Sequence, residues 1–275
     1  MKRFSRIFTV IVFIVLYAPI VLLVVASFNS GKDMTVFKNF TFYNYLEFFK
    51  DDTLLRLLLN SLIIAILSSF IATVLGTAAS IGIEKMGKRT KSLIMTATNI
   101  PMTNPEIVTG ISLALLFAFA GRMIANNNIL GFGTLLIAHI TFNLPYVILS
   151  VIPKLRQLNP NLNEAALDLG CTPVQSFFKV ILPEILPGII TGGLMAFTMS
   201  LDDFVISYFV YGPSYTTLPI EIYSYTKKPL PPKIYALFTI IFLAIVLVMA
   251  GMTIMQSYDD KKKQRLDTPV AQNMQ

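Results

Sequence analysis

The chain contains long apolar runs without a charged side chain, and the first extends from residue 7 to residue 28. A helix of about 20 apolar residues spans the roughly 30 Å hydrocarbon layer of a bilayer. Only 13% of the residues are charged and 55% are hydrophobic, whereas a soluble domain has roughly 25% charged residues. We therefore expect a protein embedded in the membrane. The runs also lack the alternating pattern of a transmembrane β-barrel, so we expect helices.

The apolar runs predict about six membrane-spanning helices and hence an all-α, polytopic membrane protein. They form a transmembrane domain, residues 1–256, followed by a cytoplasmic tail, residues 257–275. The third run contains Pro101 and Pro105, so its helix either kinks there or begins at Pro105. We expect the six helices at about residues 7–28, 57–83, 93–120, 129–151, 184–211 and 234–256.

The distribution of lysine and arginine predicts how the chain is oriented. Basic residues gather at residues 2–6, 85–91 and 261–265, next to apolar runs. Because cytoplasmic loops carry an excess of these residues, we expect both termini and the 153–183 segment in the cytoplasm of a multi-pass cell-membrane protein. The net charge of +7 then comes from basic residues that flank the apolar runs and orient the chain in the lipid bilayer. It does not indicate a nucleic-acid partner.

The 153–183 segment carries two sets of helix-capping signals. Asn159 can cap a helix with Pro160 in its first position, and Gly170 can supply a left-handed stop. Thr172 can cap a second helix that begins at Pro173, with Gln175 completing a capping box. A helix, a glycine turn and a second helix are not needed to cross lipid. The pattern therefore predicts a rigid cytoplasmic element that docks onto another protein.

Residues of this segment resemble the EAA loop of bacterial ABC-importer permeases. Glu164-Ala165-Ala166, then Gly170, then Val180, Leu182 and Pro183 reproduce the pattern and spacing of that loop, with Val180 in place of isoleucine. A broader resemblance to the second permease subunit of spermidine/putrescine importers runs through nearly the whole chain. It includes the stretch Tyr211-Gly-Pro-Ser-Tyr-Thr-Thr-Leu-Pro.

This resemblance implies a type I ABC-importer permease that moves polyamines by alternating access and is not itself an enzyme. It implies that Glu164, Ala165, Ala166 and Gly170 couple the chain to an ATPase. The partners implied are a sister permease subunit, two ATPase subunits and an extracytoplasmic substrate-binding protein. ATP and Mg would bind to the ATPase subunits, and this chain would bind no cofactor. Gly82 to Arg89 departs from a phosphate-binding P-loop because Arg89 replaces its Ser or Thr.

Two adjacent carboxylates, Asp202 and Asp203, lie inside the fifth apolar run. Each charge costs about 2.5 to 3.5 kcal/mol near the centre of a bilayer, so such residues usually face a cavity or a partner. On a continuous helix Asp203 shares a face with Ser200 and Ser207, and Asp202 points elsewhere. We expect at least one carboxylate, with Ser207, to line a substrate pathway that favours a cation. The alternative is a purely structural role.

Three residues of the segment 211–233 are candidates for contacts outside the membrane. Tyr215, Glu221 and Tyr223 can contact the binding protein or a passing ammonium group. Tyrosine is also common at the membrane interface without any such role.

Glu106 either lines the pathway or stabilises the start of a helix. His139 is the sole histidine and has no second ligand nearby in the sequence, so we expect no metal site.

Three other functions are compatible with parts of this pattern. An ABC-importer permease for another small cargo would share the 153–183 segment. In an ion-coupled secondary carrier, Asp202 or Asp203 would bind the coupling ion. An intramembrane enzyme would need a pair of catalytic residues that the chain does not offer.

Overall fold

The computed structural model describes residues 2–31, 36–124, 129–159, 161–225, 230–247 and 250, with side chains from Arg6 onward. Among these residues the regular structure is helical, and extended pairing is limited to two isolated bridges. The expected all-α fold is confirmed. The helices are α1 Lys2–Ser27, α2 Tyr43–Phe49, α3 Asp52–Glu84, α4 Lys88–Thr103, α5 Glu106–Ile124, α6 Phe132–Gln157, α7 Asn161–Asp168, α8 Pro173–Ser176, α9 Leu182–Asp202, α10 Val205–Val210, α11 Leu218–Ser224 and α12 Pro232–Leu247.

Five of the described helical stretches are long and apolar enough to cross a membrane. They are the part of α1 from Arg6, then α3, α5, α6 and the stretch from Pro173 to Asp202. The helix α12 is apolar but shorter. Most of the remaining residues of the sixth expected span, and the whole of the expected tail 257–275, lie outside the described residues.

The third and fifth expected spans are each interrupted. Asn104 has an extended backbone, with ψ 143°, between α4 and α5, because the residue before a proline avoids the helical region. The helix α5 accordingly starts just after Pro105, as one of the two alternatives predicted. In the fifth span Asp203 has ψ 118° and ends α9. The expectation of one continuous helix through Asp203 is therefore wrong.

The chain divides into two compact units, of which the first comprises residues 1–55 and 228–275. Its described part contains an aromatic cluster in which the rings of Phe28 and Phe40 stack with centroids 5.0 Å apart. The buried Asn44 amide donates to the backbone carbonyl of Ser27. Lys233 Nζ lies 2.7 Å from Asp51 Oδ2, and this hydrogen bond holds the pKa of the Asp51 carboxyl below its usual value.

The second unit, residues 56–227, is built on close packing of α3, α6 and α9. Val147 of α6 lies between glycines of the other two helices. A Cβ added to Gly76 would lie 2.7 Å from Val147 Cγ1, and one added to Gly192 would lie 3.0 Å from Val147 Cα. Small residues recur every four positions on both flanking helices, as in membrane helices whose backbones approach closely. They are Ser68, Ala72, Gly76 and Ser80 on α3 and Gly188, Gly192, Ala196 and Ser200 on α9.

The short helix α10 packs into a hydrophobic cluster that is separate from the contacts around Val147. Ile206 and Val210 are buried with Phe117 of α5 and Leu135 of α6. A Cβ on Gly110 of α5 would lie 2.8 Å from a ring carbon of Phe209, so the two helices touch. The position of α10 is therefore fixed by α5 and α6 rather than by continuity with α9.

Candidate functional site

A cavity of about 230 Å³ opens where α9 ends and α10 begins. We call it the break cavity. Its walls come from the end of α4, the start of α5, the middle of α6 and the break itself, so four separate stretches of sequence meet there. The lining residues are Pro101, Met102, Glu106, Thr109, Phe142, Tyr146, Met199, Asp202, Asp203, Phe204, Val205 and Ile206.

Three carboxylates face the break cavity. Glu106 lies in the first turn of α5, Asp202 is the last residue of α9, and Asp203 follows it. Glu106 and Asp202 are exposed, whereas the Asp203 side chain retains 6% exposure. The carbonyl end of α9 adds the negative end of its helix dipole at the same place. Broken membrane helices present their carbonyl ends to cations in this way, so the cavity is suited to a cation.

Aromatic rings form the apolar part of the same cavity. Phe142 and Tyr146 come from α6, and Phe204 comes from the break. The ring of Tyr223 does not line the cavity, but it stacks on Phe204 with centroids 4.3 Å apart and so supports that wall. An ammonium group is attracted to the face of such rings. Carboxylates beside aromatic rings can therefore bind an organic ammonium ion.

Asp203 is held in place by hydrogen bonds to the start of α10. Its Oδ1 accepts from the backbone N–H of Ile206 at 3.2 Å, and its Oδ2 accepts from the backbone N–H and the hydroxyl of Ser207, both at 2.7 Å. Asp203 precedes Phe204, the N-cap residue of α10, and its carboxylate satisfies N–H groups of the first helical turn that have no partner within the helix. Asp203 and Ser207 are thus in contact, though not through a shared face of one helix. Ser207 itself is fully buried and does not line the break cavity, so its predicted place on the pathway is wrong.

The three candidates of the segment 211–233 lie in different surroundings. Tyr215 donates its hydroxyl to the carbonyl of Asn60 at 3.2 Å, and burial raises the pKa of its phenol. Tyr223 is 46% exposed and touches the cavity wall through Phe204. Glu221 lies in the first turn of α11, where its negative charge interacts favourably with the positive end of the helix dipole. Of the three, only Tyr223 is thus connected to the break cavity by a described contact.

The helix, turn and helix predicted for the 153–183 segment are confirmed. Gly170 has φ +86°, in the left-handed region. The backbone N–H of Gly170 bonds the Leu167 carbonyl and that of Cys171 bonds the Ala166 carbonyl, which together form a Schellman cap. Thr172 then caps the next helix.

The caps on either side of the glycine turn are also as predicted. Thr172 and Gln175 form the reciprocal hydrogen bonds of a capping box at the start of α8. Asn159 Oδ1 accepts from the backbone N–H of Asn161 at 3.0 Å. Pro160, the predicted first helical position, lies outside the described residues. Side chains within the segment therefore fix both helix starts.

One face of α7 is packed inward and the other is open. Ala166 is 5% exposed, and the Ser176 hydroxyl donates to Asn163 Oδ1 at 2.8 Å, which fastens α7 to α8. Glu164 and Ala165 are exposed, and the apolar side chain of Leu169 is 86% exposed. The open face of α7 and the turn after it are therefore available for contact with another protein.

A continuous helical stretch joins this surface to the break cavity. Residues 173–202 form a stretch of 30 residues, about 45 Å at 1.5 Å per residue. Its turn at Phe177–Ile181 is a π-helix. Pro183 lacks an N–H to donate to the preceding turn, and π-turns accommodate such defects and are frequent at functional sites. The second helix of the 153–183 segment is therefore continuous with the helix that ends at Asp202.

Sequence reasoning left two residues of this site without a role. Glu106 was open between a structural and a pathway role, and the structure places it on the cavity wall. His139 was considered only as a metal ligand, yet both ring nitrogens are hydrogen-bonded near Asp203. The cost of a polar group in lipid was an available signal for both, but it could not identify their neighbours.

The chain is similar to a known family and to known proteins. Residues 72–264 match the family model described as "Binding-protein-dependent transport system inner membrane component". The chain is 40% identical over 237 residues to the putrescine transport system permease protein PotI of Escherichia coli strain K12, which covers 86% of this chain and 84% of that protein. It is 38% identical over 257 residues to the spermidine/putrescine transport system permease protein PotC of Haemophilus influenzae, covering 92% and 98%.

A solved structure has the same fold. The crystal structure of a bacterial ABC transporter involved in the import of the acidic polysaccharide alginate contains a chain that matches with a TM-score of 0.71. The match covers 91% of this chain and 94% of that chain at 16% sequence identity. At that identity the likeness concerns the arrangement of the helices.

Proposed function

The chain belongs to the family of binding-protein-dependent transport system inner membrane components, and on that premise we propose that it is the permease subunit of an ATP-driven polyamine importer. The observation that carries the cargo assignment is the break cavity. It combines the carboxylates of Glu106, Asp202 and Asp203 with aromatic walls. Spermidine and putrescine carry several ammonium groups joined by methylenes, so carboxylates would bind the charges while rings contact the chain. The names of the similar permeases support the same cargo class.

Transport requires that events in the cytoplasm reach the cavity. We assign the exposed surface around Glu164, Ala165 and Gly170 to docking on an ATPase subunit, with Ala166 packed beneath it. When ATP draws two ATPase subunits together, this surface moves with them. The helix from Pro173 to Asp202 carries that motion to the break, where Asp202 and Asp203 change their exposure. Alternating access follows if cargo binds the two states unequally.

The partners follow from this assignment. A sister permease subunit completes the pathway, two ATPase subunits bind ATP and Mg, and an extracytoplasmic binding protein delivers cargo. This chain supplies the cavity and the docking surface and binds no cofactor. Both termini and the 153–183 segment face the cytoplasm, in agreement with the basic residues beside them. Tyr223 and Glu221 then lie on the outer side, where the binding protein docks.

Uptake by the reconstituted complex tests the function. We expect proteoliposomes containing the complete complex, loaded with ATP, to accumulate radiolabelled spermidine or putrescine when the binding protein is added outside. Omitting this subunit should reduce accumulation to background. N-acetylputrescine, which has one ammonium group, should compete more weakly than putrescine because a carboxylate is left without a partner. Uptake that needs no ATP but follows an imposed ion gradient would instead identify a secondary carrier.

The orientation can be tested with the single cysteine of the chain, Cys171. A membrane-impermeant maleimide should label Cys171 in inside-out vesicles and leave it unlabelled in right-side-out vesicles. Because Cys171 is half-buried, Leu169→Cys in a Cys171→Ser background gives a more exposed reporter. Ser214→Cys in the same background, between α10 and α11, should give the opposite pattern. Labelling of Cys171 and Leu169→Cys from the outside would exclude an ATPase-docking role for this segment.

A further inference from the structure

A chain of buried hydrogen bonds connects α3, α6 and both sides of the helix break. His139 of α6 is 1% exposed. Its Nδ1 lies 2.5 Å from Ser200 Oγ on α9, and its Nε2 lies 2.9 Å from Ser207 Oγ on α10. Ser200 Oγ is also 2.9 Å from Ser68 Oγ on α3. One imidazole ring therefore bonds to both half-helices that flank the break cavity.

The bond that the Ser207 hydroxyl donates sets the direction of the bonds next to it. Ser207 donates its hydroxyl proton to Asp203 Oδ2, so Ser207 Oγ can only accept from His139, and Nε2 must carry a proton. A neutral ring then has an acceptor at Nδ1, which Ser200 can satisfy by donating. Ser200 Oγ is then left to accept from Ser68 at 2.9 Å, and the Ser68 hydroxyl also lies 3.4 Å from the Ala65 carbonyl. The hydroxyl protons of Ser200 and Ser207 then each have one acceptor, and the chain of bonds ends at the carboxylate of Asp203.

The backbone does not join α9 and α10 into one continuous helix, so side-chain hydrogen bonds provide the connection between them. The helix α9 ends at Asp202, α10 starts at Val205, and Asp203 between them is extended. His139 Nε2 and Asp203 Oδ2 are 3.6 Å apart, too far for a hydrogen bond. The ring thus acts on the carboxylate mainly through Ser207. If Ser207 rotated away, Asp203 would lose one of its three hydrogen bonds and the alignment of its carboxylate with the cavity.

We infer that His139 is a positioning residue of the cargo site: as a neutral ring protonated on Nε2, it joins α9 to α10 and orients Asp203 toward the break cavity. The inference rests on the proposed function of that cavity. It distinguishes His139 from Asn143, one turn further along α6, which is fully buried and whose amide atoms have no hydrogen-bond partner among the described residues. Asn143 is therefore a matched control for loss of a buried polar side chain.

The tautomer can be observed directly, because His139 is the only histidine of the chain. The complex would carry an affinity tag without histidine and be labelled with ¹⁵N-histidine in bilayers. Subtracting the spectrum of the His139→Gln complex isolates the two ring nitrogens of His139. We expect the two signals of a neutral ring, with Nε2 protonated and Nδ1 unprotonated. A ring protonated on Nδ1, or on both nitrogens, at neutral pH would overturn the inference whatever the cargo is.

The functional arm compares three variants in the reconstituted complex by radiolabelled spermidine imported per ATP hydrolysed. His139→Asn removes the donor at Nε2, and we expect this ratio to fall by about tenfold, the effect of one hydrogen bond in a charged network. Glutamine can place an N–H donor close to the position of Nε2, so His139→Gln should recover most of the ratio. Asn143→Leu should leave it within about twofold.

A double variant separates failure of this inference from failure of the proposed function. Because His139 acts through Asp203, adding His139→Asn to Asp203→Asn should lower the ratio no further than Asp203→Asn alone. Additive losses, or equal losses in Asn143→Leu and His139→Asn, would mean a general packing role and overturn the inference while leaving the cavity assignment intact. If Asp203→Asn itself had no effect, the proposed function of the cavity would fail first.

Discussion

Replacing Gly170 with valine is expected to abolish polyamine uptake while leaving the complex assembled in the membrane. Gly170 has φ +86°, a conformation that costs other residues roughly 1 to 2 kcal/mol and β-branched residues more. A Cβ at this position would meet nothing within 4 Å, so strain in the backbone, not a clash, is the cause. The turn would open, and the surface around Glu164 would lose its fixed relation to α8 and α9.

The measurement is uptake and ATP hydrolysis in the same proteoliposomes. We expect uptake to fall by at least about tenfold, since 1.4 kcal/mol is a factor of ten. Basal ATP hydrolysis should continue but no longer respond to loaded binding protein. Gly170→Asn is the conservative variant, because asparagine tolerates the left-handed region, and it should retain most uptake.

A second glycine controls for the side chain itself. Gly87 caps α4 with φ −62° and also has open space at its Cβ. Gly87→Val adds the same side chain to another turn without requiring the left-handed conformation, so its uptake should be near normal. Full uptake by Gly170→Val would mean that the turn does not transmit the motion of the ATPase.

The turn at Gly170 could be predicted because its signals are local. Asn159, Gly170, Thr172 and Gln175 each bond to backbone or side-chain groups within a few residues. Capping chemistry depends on residue type at a fixed offset, which a single sequence displays. The apolar runs are equally local, since length and hydrophobicity suffice to identify a membrane span.

The break at Asp203 was missed because it depends on tertiary packing. An apolar run with two carboxylates is compatible with a continuous helix, and helical periodicity alone does not reveal a break. What ends α9 is the preference of Asp203 for capping α10, and α10 is held in place by residues distant in sequence, such as Phe117 and Leu135. His139 is separated from Ser200 and Ser207 by 61 and 68 residues. No spacing rule connects positions so far apart.

The local conformation of Glu106 could be predicted from the sequence, but its neighbours in the fold could not. Its place in the first turn of α5 was predicted from Pro105, and that local expectation is correct. Its position on a wall shared with Asp202 and Asp203 depends on how α5 packs against α6 and α10. The residues next to Glu106 therefore predict its helical conformation, whereas its position on the cavity wall depends on the packing of the helices.

Replacing Asp203 with asparagine should reduce polyamine import by at least about tenfold without reducing the amount of assembled complex. Asparagine has nearly the same shape, so the variant removes the negative charge and little volume. The Asp203 side chain is 6% exposed, and an ammonium–carboxylate pair that is partly removed from water is worth more than one in bulk solvent. We expect cargo imported per ATP to fall, because the binding protein still stimulates hydrolysis while the cavity no longer captures the released polyamine.

Two further carboxylates and one control define what the result means. Asp202→Asn and Glu106→Gln remove the other charges of the break cavity, and each should lower import, by less than Asp203→Asn because both side chains are exposed. Asp52→Asn makes the same chemical change in the exposed first turn of α3 and should leave import unchanged. If Asp202→Asn and Asp203→Asn both transported normally, neither carboxylate would line the route, and the cation specificity would have to be set by another part of the complex.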